Sequence, residues 1–289
     1  RGIMHRDDLA ASQVLFWPKS KEEGYYWLVS LQNLGINEVY LLGENNAGVQ
    51  AAAKNLAKLG AQVTKLDAAK RCSLFAVNLS AANLTASLGQ ETTWQLTGLS
   101  AKPLQLVSLP GVFSHGRLDE GSQLLLSCLQ EAASQNFLQA TNKISTALDL
   151  GCGYGVLATA LASYLPNIKL TLSDVNAFAL AASAKTLAAN KLTAELVGAD
   201  VFTGLEAAKP SQGWDLIITN PPFHAGKATS YAASQALISQ AKIFLSPKGQ
   251  LWLVANSFLP YEALLKEAFG TYQQLAATNK FKVLVATNG

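Results

Sequence analysis

The chain has 289 residues, 49% of them hydrophobic and 14% charged, with a formal net charge of +3. That length favours two domains over one and leaves ample apolar side chains for packed cores. The mild charge, with no run of Lys and Arg, excludes a basic arm while permitting a nucleic-acid partner, and no apolar stretch reaches the ~20 residues that span a bilayer.

Taken in chain order, the first half predicts a strand over Glu38–Leu42, a helix over Gly48–Leu59 and a strand over Gln62–Leu66. The segment from Leu79 to Gln95, rich in Ser, Ala, Asn and Thr, reads as a loosely structured excursion. Two extended runs follow, Trp94–Leu99 and Leu104–Leu109, then a turn-rich stretch from Pro110 to His115. Asp119 is a helix cap before Ser122–Ala133, whose leucines share one face. From there strands and helices alternate: Ala147–Leu150, Val156–Tyr164, Lys169–Ser173, Asn176–Asn190, Glu195–Val197, Trp214–Thr219, Tyr231–Leu245, Leu251–Ala255 and Tyr261–Ala268. Such alternation implies a mostly parallel sheet of the doubly wound kind. The closing runs Tyr272–Thr278 and Phe281–Thr287, joined by Asn279-Lys280, imply one antiparallel strand at its edge. The expected division is residues 1–90 and 91–289. The first half is a fainter copy of the second: Val39-Tyr40-Leu41-Leu42-Gly43 parallels Ala147-Leu148-Asp149-Leu150-Gly151, and Asp67 parallels Asp174. Where the second half has Cys152-Gly153-Tyr154-Gly155, the first has Glu44-Asn45-Asn46-Ala47, whose Cβ atoms limit backbone approach to a ligand. Either the first half is a duplicate that has lost ligand binding, or the likeness is generic to βαβ units.

Gly151, Gly153 and Gly155 lie between a strand and a helix, where glycine lets the backbone pass close to a ligand. Asp174 ends the next strand, at the place where a carboxylate receives ribose hydroxyls. The spacing G-x-G-x-G departs from the dinucleotide fingerprint G-x-G-x-x-G, with Val156 at the third position. Asp149, just before the loop, would repel a phosphate but suits the ammonium of a methionine moiety. Together with the run described next, these residues point to S-adenosylmethionine as cofactor. Asp200 is placed to meet the adenine amino group, with Val175 and Val201 packing on the ring; the alternative for Asp200 is a solvated loop carboxylate.

The second site is Asn220-Pro221-Pro222-Phe223, which closes the apolar strand Trp214–Thr219. The Asn220 side-chain oxygen and the Pro221 carbonyl are both acceptors. A planar –NH2 group donating to both would be held with its nitrogen toward the methyl donor, and positioning supplies much of the catalysis. Phe223 is placed to stack on a base, worth ~1–3 kcal/mol. The alternative is a Pro-rich turn that merely caps a strand. His224 reads as a structural histidine rather than a substrate contact. His5, His115 and His224 show no metal-ligand spacing, so no metal is expected. Cys72, Cys128 and Cys152, odd in number and scattered, fit a reducing cytoplasm, and no signal-peptide pattern is present. Because the chain begins at Arg1 rather than Met, the natural N-terminus is expected to lie upstream.

At these residues the chain resembles the class I S-adenosylmethionine methyltransferases that carry Asn-Pro-Pro-[Phe/Tyr]. More closely it resembles the bacterial RsmC family of 16S rRNA guanine-N2 methyltransferases. The stretches that carry the likeness are Phe16-Trp17-Pro18-Lys19-Ser20-Lys21-Glu22, Pro110-Gly111-Val112-Phe113-Ser114 and Leu118-Asp119-Glu120-Gly121-Ser122-Gln123-Leu124-Leu125, with Asn220-Pro221-Pro222-Phe223-His224 and Val254-Ala255-Asn256-Ser257-Phe258-Leu259-Pro260-Tyr261. The resemblance implies two tandem Rossmann-like domains of α/β class, only the C-terminal one active, and a guanosine in the assembled 30S subunit as substrate. It also implies cofactor contacts at Gly151, Gly153, Gly155, Asp174, Asp200 and Val201, acceptor contacts at Asn220, Pro221 and Phe223, and a place near the cofactor for Phe113. A monomer with no membrane association is expected. Three rivals stay open: guanine-N2 methylation of 23S rRNA, glutamine methylation of release factors, and a non-catalytic ribosome assembly factor. Lys227, Lys280 and Lys282 are candidate RNA contacts, supported no better than as ordinary solvated charges.

Overall fold

The computed structural model describes residues 10–84, 90–135, 144–221 and 227–289. The chain divides into two compact units. One holds the residues up to Glu91 together with Leu109–Gly111; the other holds Thr92–Ser108 and Val112–Gly289.

The N-terminal unit carries a four-stranded sheet in the order β1-β2-β4-β3. These strands are β1 (Ser12–Phe16), β2 (Glu38–Glu44), β3 (Gln62–Ala69) and β4 (Cys72–Asn78). Helix α1 (Lys21–Asn33) begins at Ser20, whose Oγ accepts the Glu23 N–H at 3.2 Å; Ser20-Lys21-Glu22-Glu23 has the S-x-x-E form of a capping box. Helix α2 (Val49–Lys58) follows Gly48, which is left-handed at φ 89. Trp17, Leu28, Leu41, Leu56, Phe75 and Leu84 are among the residues of its core. The segment Leu79–Leu84, expected to be loose, is folded into that core: Gln32 Nε2 donates to the carbonyls of Leu79 and Ala82, each at 2.8 Å.

The hairpin of β3 and β4 was not legible, and it alters the expected parallel between the two halves. Strand β3 runs on past Asp67 to Ala69 and turns back through Lys70 and Arg71, both left-handed (φ 47 and 65). Strand β4 then pairs antiparallel with β2 and with β3, so it lies between them. Asp67 therefore does not end a strand beside β2; it is exposed, and its Oδ1 accepts the N–H of its own neighbour Ala68.

In the C-terminal unit a short antiparallel pair, β5 (Thr92–Leu96) with β6 (Leu104–Ser108), precedes helix α3 (Glu120–Ser134). The main sheet has seven strands: β7 (Thr146–Leu150), β8 (Lys169–Asp174), β9 (Glu195–Gly198), β10 (Trp214–Thr219), β11 (Leu245–Asn256), β12 (Gln273–Ala277) and β13 (Phe281–Thr287). Helices α4 (Val156–Tyr164), α5 (Ala177–Ala189), α6 (Lys227–Phe244) and α7 (Tyr261–Phe269) connect them. The order is β12-β13-β11-β10-β7-β8-β9, with β13 antiparallel to both neighbours. The antiparallel strand thus lies one place in from the edge rather than at it. Burial explains this. All but the end residues of β13 are buried, which requires a neighbour on each side, whereas β12 is almost wholly exposed and suits an edge.

Strands β7 and β10 are direct parallel neighbours, yet the chain leaves β7 toward β8 on the other side. This reversal of strand order opens a crevice at the carboxyl ends of β7 and β10, the usual ligand position in such sheets. Both ends of the pair are pinned. At the amino end, Asp215 Oδ2 accepts the N–H and hydroxyl groups of Ser145 and Thr146. At the carboxyl end, Thr219 Oγ1 donates to the Leu150 carbonyl at 2.7 Å.

Candidate active site

The glycine loop leaves the tip of β7. Gly151, Gly153 and Gly155 are all left-handed, at φ 72, 56 and 78, a conformation natural to glycine and costly to other residues. The N–H groups of Gly151 and Cys152 both donate to the Ser173 carbonyl on β8, at 2.8 and 2.9 Å. A Cβ at Gly151 or Gly153 would meet no atom of the described residues within 4 Å, so the space beside them is open among those residues. A Cβ at Gly155 would lie 3.0 Å from Ser183 Oγ and 3.3 Å from Leu172. The three glycines therefore differ: the first two face open space and the third packs helix α4 against the sheet.

Asp149 lies beneath this loop and is 1% exposed. Its Oδ2 accepts the Ala158 N–H in the first turn of α4 at 3.0 Å, where the helix dipole favours a negative charge. Its Oδ1 is buried with no hydrogen-bond partner among the described residues. Burial, opposed by the Ala158 N–H and reinforced by the charge of Asp174, pushes the carboxyl up to about 7. An orphaned buried carboxylate oxygen beneath an open glycine loop fits a cationic ligand group.

Asp174 closes β8 and is half-buried. Its Oδ2 accepts the Gly153 N–H at 3.0 Å and its Oδ1 accepts the Asn176 N–H at 2.8 Å, so the carboxylate is fixed in direction. Each oxygen still has acceptor capacity for a hydroxyl. The three apolar side chains expected at the cofactor stand uncovered: Val175 is 77% exposed, Phe113 54% and Val201 36%. Asp200 is exposed in a turn closed by Asp200–Thr203 backbone bonds. Within that turn Phe202 is buried and stacks on Phe244 at 4.7 Å, while Val201 is left-handed at φ 53. That conformation is costly for a β-branched residue, and such strain collects at ligand sites. The open glycines, the fixed carboxylate, the orphaned oxygen and the exposed valines fit the methionine, ribose and adenine parts of S-adenosylmethionine.

Asn220 and Pro221 leave the tip of β10 on the same sheet edge, Asn220 half-buried and Pro221 buried. Asn220 Nδ2 donates to Asp119 Oδ2 and to Ser122 Oγ, both at 2.9 Å. Asp119 is also the N-cap of α3, its Oδ2 accepting the Ser122 N–H at 3.0 Å. Pro222, Phe223 and His224 lie outside the described residues.

Several residues at this site were not legible as functional. Tyr154 in the glycine loop is buried, donates its hydroxyl to the Arg117 carbonyl at 3.1 Å and meets Trp94 edge-on at 5.1 Å. His115 bonds Thr92 Oγ1 at 3.2 Å and Ser108 Oγ at 3.0 Å, one on each ring nitrogen. The segment Val112–Asp119, which carries Phe113, is thereby fastened to the hairpin, to the glycine loop and, through Asp119, to Asn220. Asp119 was legible only as a helix cap; its bond to a residue 101 positions away has no local signature.

Of the lysines considered for RNA contact, Lys282 is 5% exposed, donates to the Ser257 and Leu259 carbonyls and pairs with Glu262. It is a structural residue, not a surface charge. Lys280 pairs with Glu120 at 2.9 Å. The Lys227 side chain lies outside the described residues. Among the described residues, no group of three His, Cys, Asp or Glu could hold a metal ion, and no helix is long and apolar enough to cross a membrane.

The chain matches two family models: "Methyltransferase small domain" over residues 103–285 and "Methyltransferase small domain N-terminal" over residues 4–91. It is similar to the ribosomal RNA small subunit methyltransferase C of Proteus mirabilis, 40% identical over 276 residues, covering 95% of this chain and 76% of that protein. The protein of the same name from Pseudomonas putida is 42% identical over 279 residues, covering 96% and 79%. Among solved structures it is similar to the T. thermophilus 16S rRNA N2 G1207 methyltransferase (RsmC) in complex with AdoMet and guanosine. That likeness has a TM-score of 0.76 and 29% identity, covering 96% of this chain and 73% of that one. Two-domain fold, glycine loop and Asn-Pro-Pro-Phe run occur here in a chain that belongs to the small-domain methyltransferases, in the family of ribosomal RNA small subunit methyltransferase C.

Proposed function

We propose that this chain transfers a methyl group from S-adenosylmethionine to the exocyclic N2 of a guanosine in 16S rRNA, acting on the assembled 30S subunit as a cytoplasmic monomer. The observation that carries the reading is the shared edge of β7 and β10. The glycine loop and Asn220-Pro221 leave adjacent parallel strands whose tips are tied by the Thr219–Leu150 bond. A cofactor held by the first and an amine held by the second would be neighbours. The names of the relatives support small-subunit ribosomal RNA as the substrate, and the similar T. thermophilus N2 G1207 methyltransferase supports guanine N2 as that amine.

The roles follow from the placement. Gly151, Gly153 and Gly155 bring backbone to the cofactor, and Asp174 accepts its ribose hydroxyls. Asp149 supplies negative charge from beneath toward its ammonium. Asp200 meets the adenine amine between Val175 and Val201, with Phe113 as a further apolar wall. When bound, S-adenosylmethionine supplies a methyl group already activated on a sulfonium, so the protein's task is to orient the acceptor. Asn220 Oδ1 and the Pro221 carbonyl accept the two N–H bonds of N2, which makes its lone pair more available toward the donor. Phe223, by its place in the sequence, stacks on the base. In this reading the N-terminal unit does not bind cofactor and serves RNA recognition or folding.

Incubation with radiolabelled methyl donor and, separately, 30S subunits, 50S subunits and release factor tests the proposal. Label is expected in 30S RNA as N2-methylguanosine. Label only in 50S RNA or only in release factor would replace the substrate, and absence of both label and cofactor binding would favour an assembly factor.

A further inference from the structure

We infer that Asp119 and Ser122 are positioning residues for methyl transfer, fixing the Asn220 amide so that its oxygen, not its nitrogen, faces the acceptor. The inference deepens the reading above and rests on it for the identity of the acceptor. An asparagine amide has two donors on nitrogen and an acceptor oxygen, and a half-turn of its last torsion exchanges them. With the oxygen outward, Asn220 receives an amine. With the nitrogen outward, it presents donors to donors and repels the amine.

Nothing in Asn220 itself selects between the two. Its neighbours do. A carboxylate oxygen can only accept, and Asp119 Oδ2 stands 2.9 Å from Nδ2. Ser122 Oγ takes the other amide hydrogen at 2.9 Å. Both Nδ2 hydrogens are thus engaged on the α3 side, and Oδ1 accepts no hydrogen bond from the described residues. A cap alone does not explain this arrangement. Asp119 already fulfils the capping role through the Ser122 N–H at 3.0 Å, and the Asn220 bonds are additional and long-range. Since Tyr154 of the glycine loop bonds Arg117, two residues before Asp119, the fastened Val112–Asp119 segment touches both the donor loop and the acceptor residue.

Asp119→Ser separates the two roles. Serine caps a helix about as well as aspartate but is too short to reach Asn220. Single-turnover methylation of 30S subunits is expected to fall 10- to 100-fold in rate for Asp119→Ser and for Ser122→Ala. KM for 30S should stay within threefold, cofactor Kd within twofold and Tm within a few degrees. Asp119→Asn, which keeps an acceptor of the right length, is expected to recover activity to within about fivefold of the parent chain. Wild-type rates in Asp119→Ser, or losses that track cofactor affinity or folded fraction alone, would overturn the inference. A second measurement does not depend on the substrate. The Asn220 side-chain amide protons should exchange slowly with solvent in the parent chain and at least tenfold faster in Asp119→Ser; equal exchange in both would also overturn it. A parent chain inactive on 30S but with protected amide protons would indict the substrate reading and leave the orientation standing.

Discussion

Asp149 shows how one buried group ties stability to ligand binding. Its carboxyl is raised to about 7 by burial first and by the charge of Asp174 next, against the Ala158 N–H that favours ionisation. In the unfolded chain it titrates near 4. Between those values the folded state keeps a proton that the unfolded state has released, so stability falls as pH rises through the window from about 4 to about 7. A tenfold difference in proton affinity between the two states is worth about 1.4 kcal/mol, which puts the total at a few kcal/mol. Tm of the free protein is expected to decline between pH 5 and pH 8, and Asp149→Asn should flatten that decline. Cofactor affinity should show the opposite trend, rising with pH in the parent chain as the carboxylate ionises beside the ammonium, and turning flat in Asp149→Asn. Calorimetry at several pH values reads both, and an unchanged Tm slope in the variant would remove Asp149 as its source. The sequence made Asp149 legible as a charge before a glycine loop. That its second oxygen is orphaned and its environment dry depends on packing by α4, which no local pattern encodes.

At the scale of elements, the three glycines separate two kinds of requirement. Gly155→Ala would place a Cβ against Ser183 and Leu172 in a left-handed residue, at about 2 kcal/mol or more, a fall in Tm of about 4–8 °C. Gly151→Ala and Gly153→Ala meet no atom of the described residues and incur the conformational penalty, about 1–2 kcal/mol. Their main effect should fall on cofactor affinity, at least tenfold, measured by titration against matched Tm values. Equal stability losses with unchanged affinity would contradict the assignment of open space to the ligand. The spacing G-x-G-x-G could not reveal this division, because it gives the glycines without what lies beside each. The strands and helices of the C-terminal unit were legible because a parallel sheet buries its strands as short apolar runs between helices. The β3–β4 hairpin was not. Its turn is Lys70-Arg71, with neither Asn nor Gly, so the left-handed conformation of both residues has no compositional marker. Likewise β11 begins at Leu245, ahead of the Pro247-Lys248-Gly249 run that marks a stop when read locally.

For the whole molecule, the hairpin decides what the N-terminal unit can bind. A class I site needs a strand that runs parallel beside the loop-bearing strand and ends in a carboxylate, as β8 does with Asp174 beside β7. In the N-terminal unit β2 has two neighbours: β1 runs parallel but ends at Phe16 rather than a carboxylate, and β4 runs antiparallel and presents its beginning, Cys72, opposite Glu44 at that edge. The loop after β2 is also filled by its own protein partners. The Asn45 N–H donates to the Arg71 carbonyl, and Asn45 Oδ1 accepts from Ser73 Oγ at 2.8 Å. A remnant of the common plan persists in Gly48, which caps α2 in the left-handed conformation as Gly155 caps α4. The unit thus keeps the strand–turn–helix frame without the geometry for a nucleoside. Titration with S-adenosylmethionine is expected to give one site per chain. Asp174→Ala should abolish it, while Asp67→Ala, changing an exposed carboxylate bonded among the described residues only to its neighbour's N–H, should leave affinity within twofold of the parent. A second site, or one that survives Asp174→Ala and fails in Asp67→Ala, would place cofactor in the N-terminal unit and reverse the assignment of labour between the two halves.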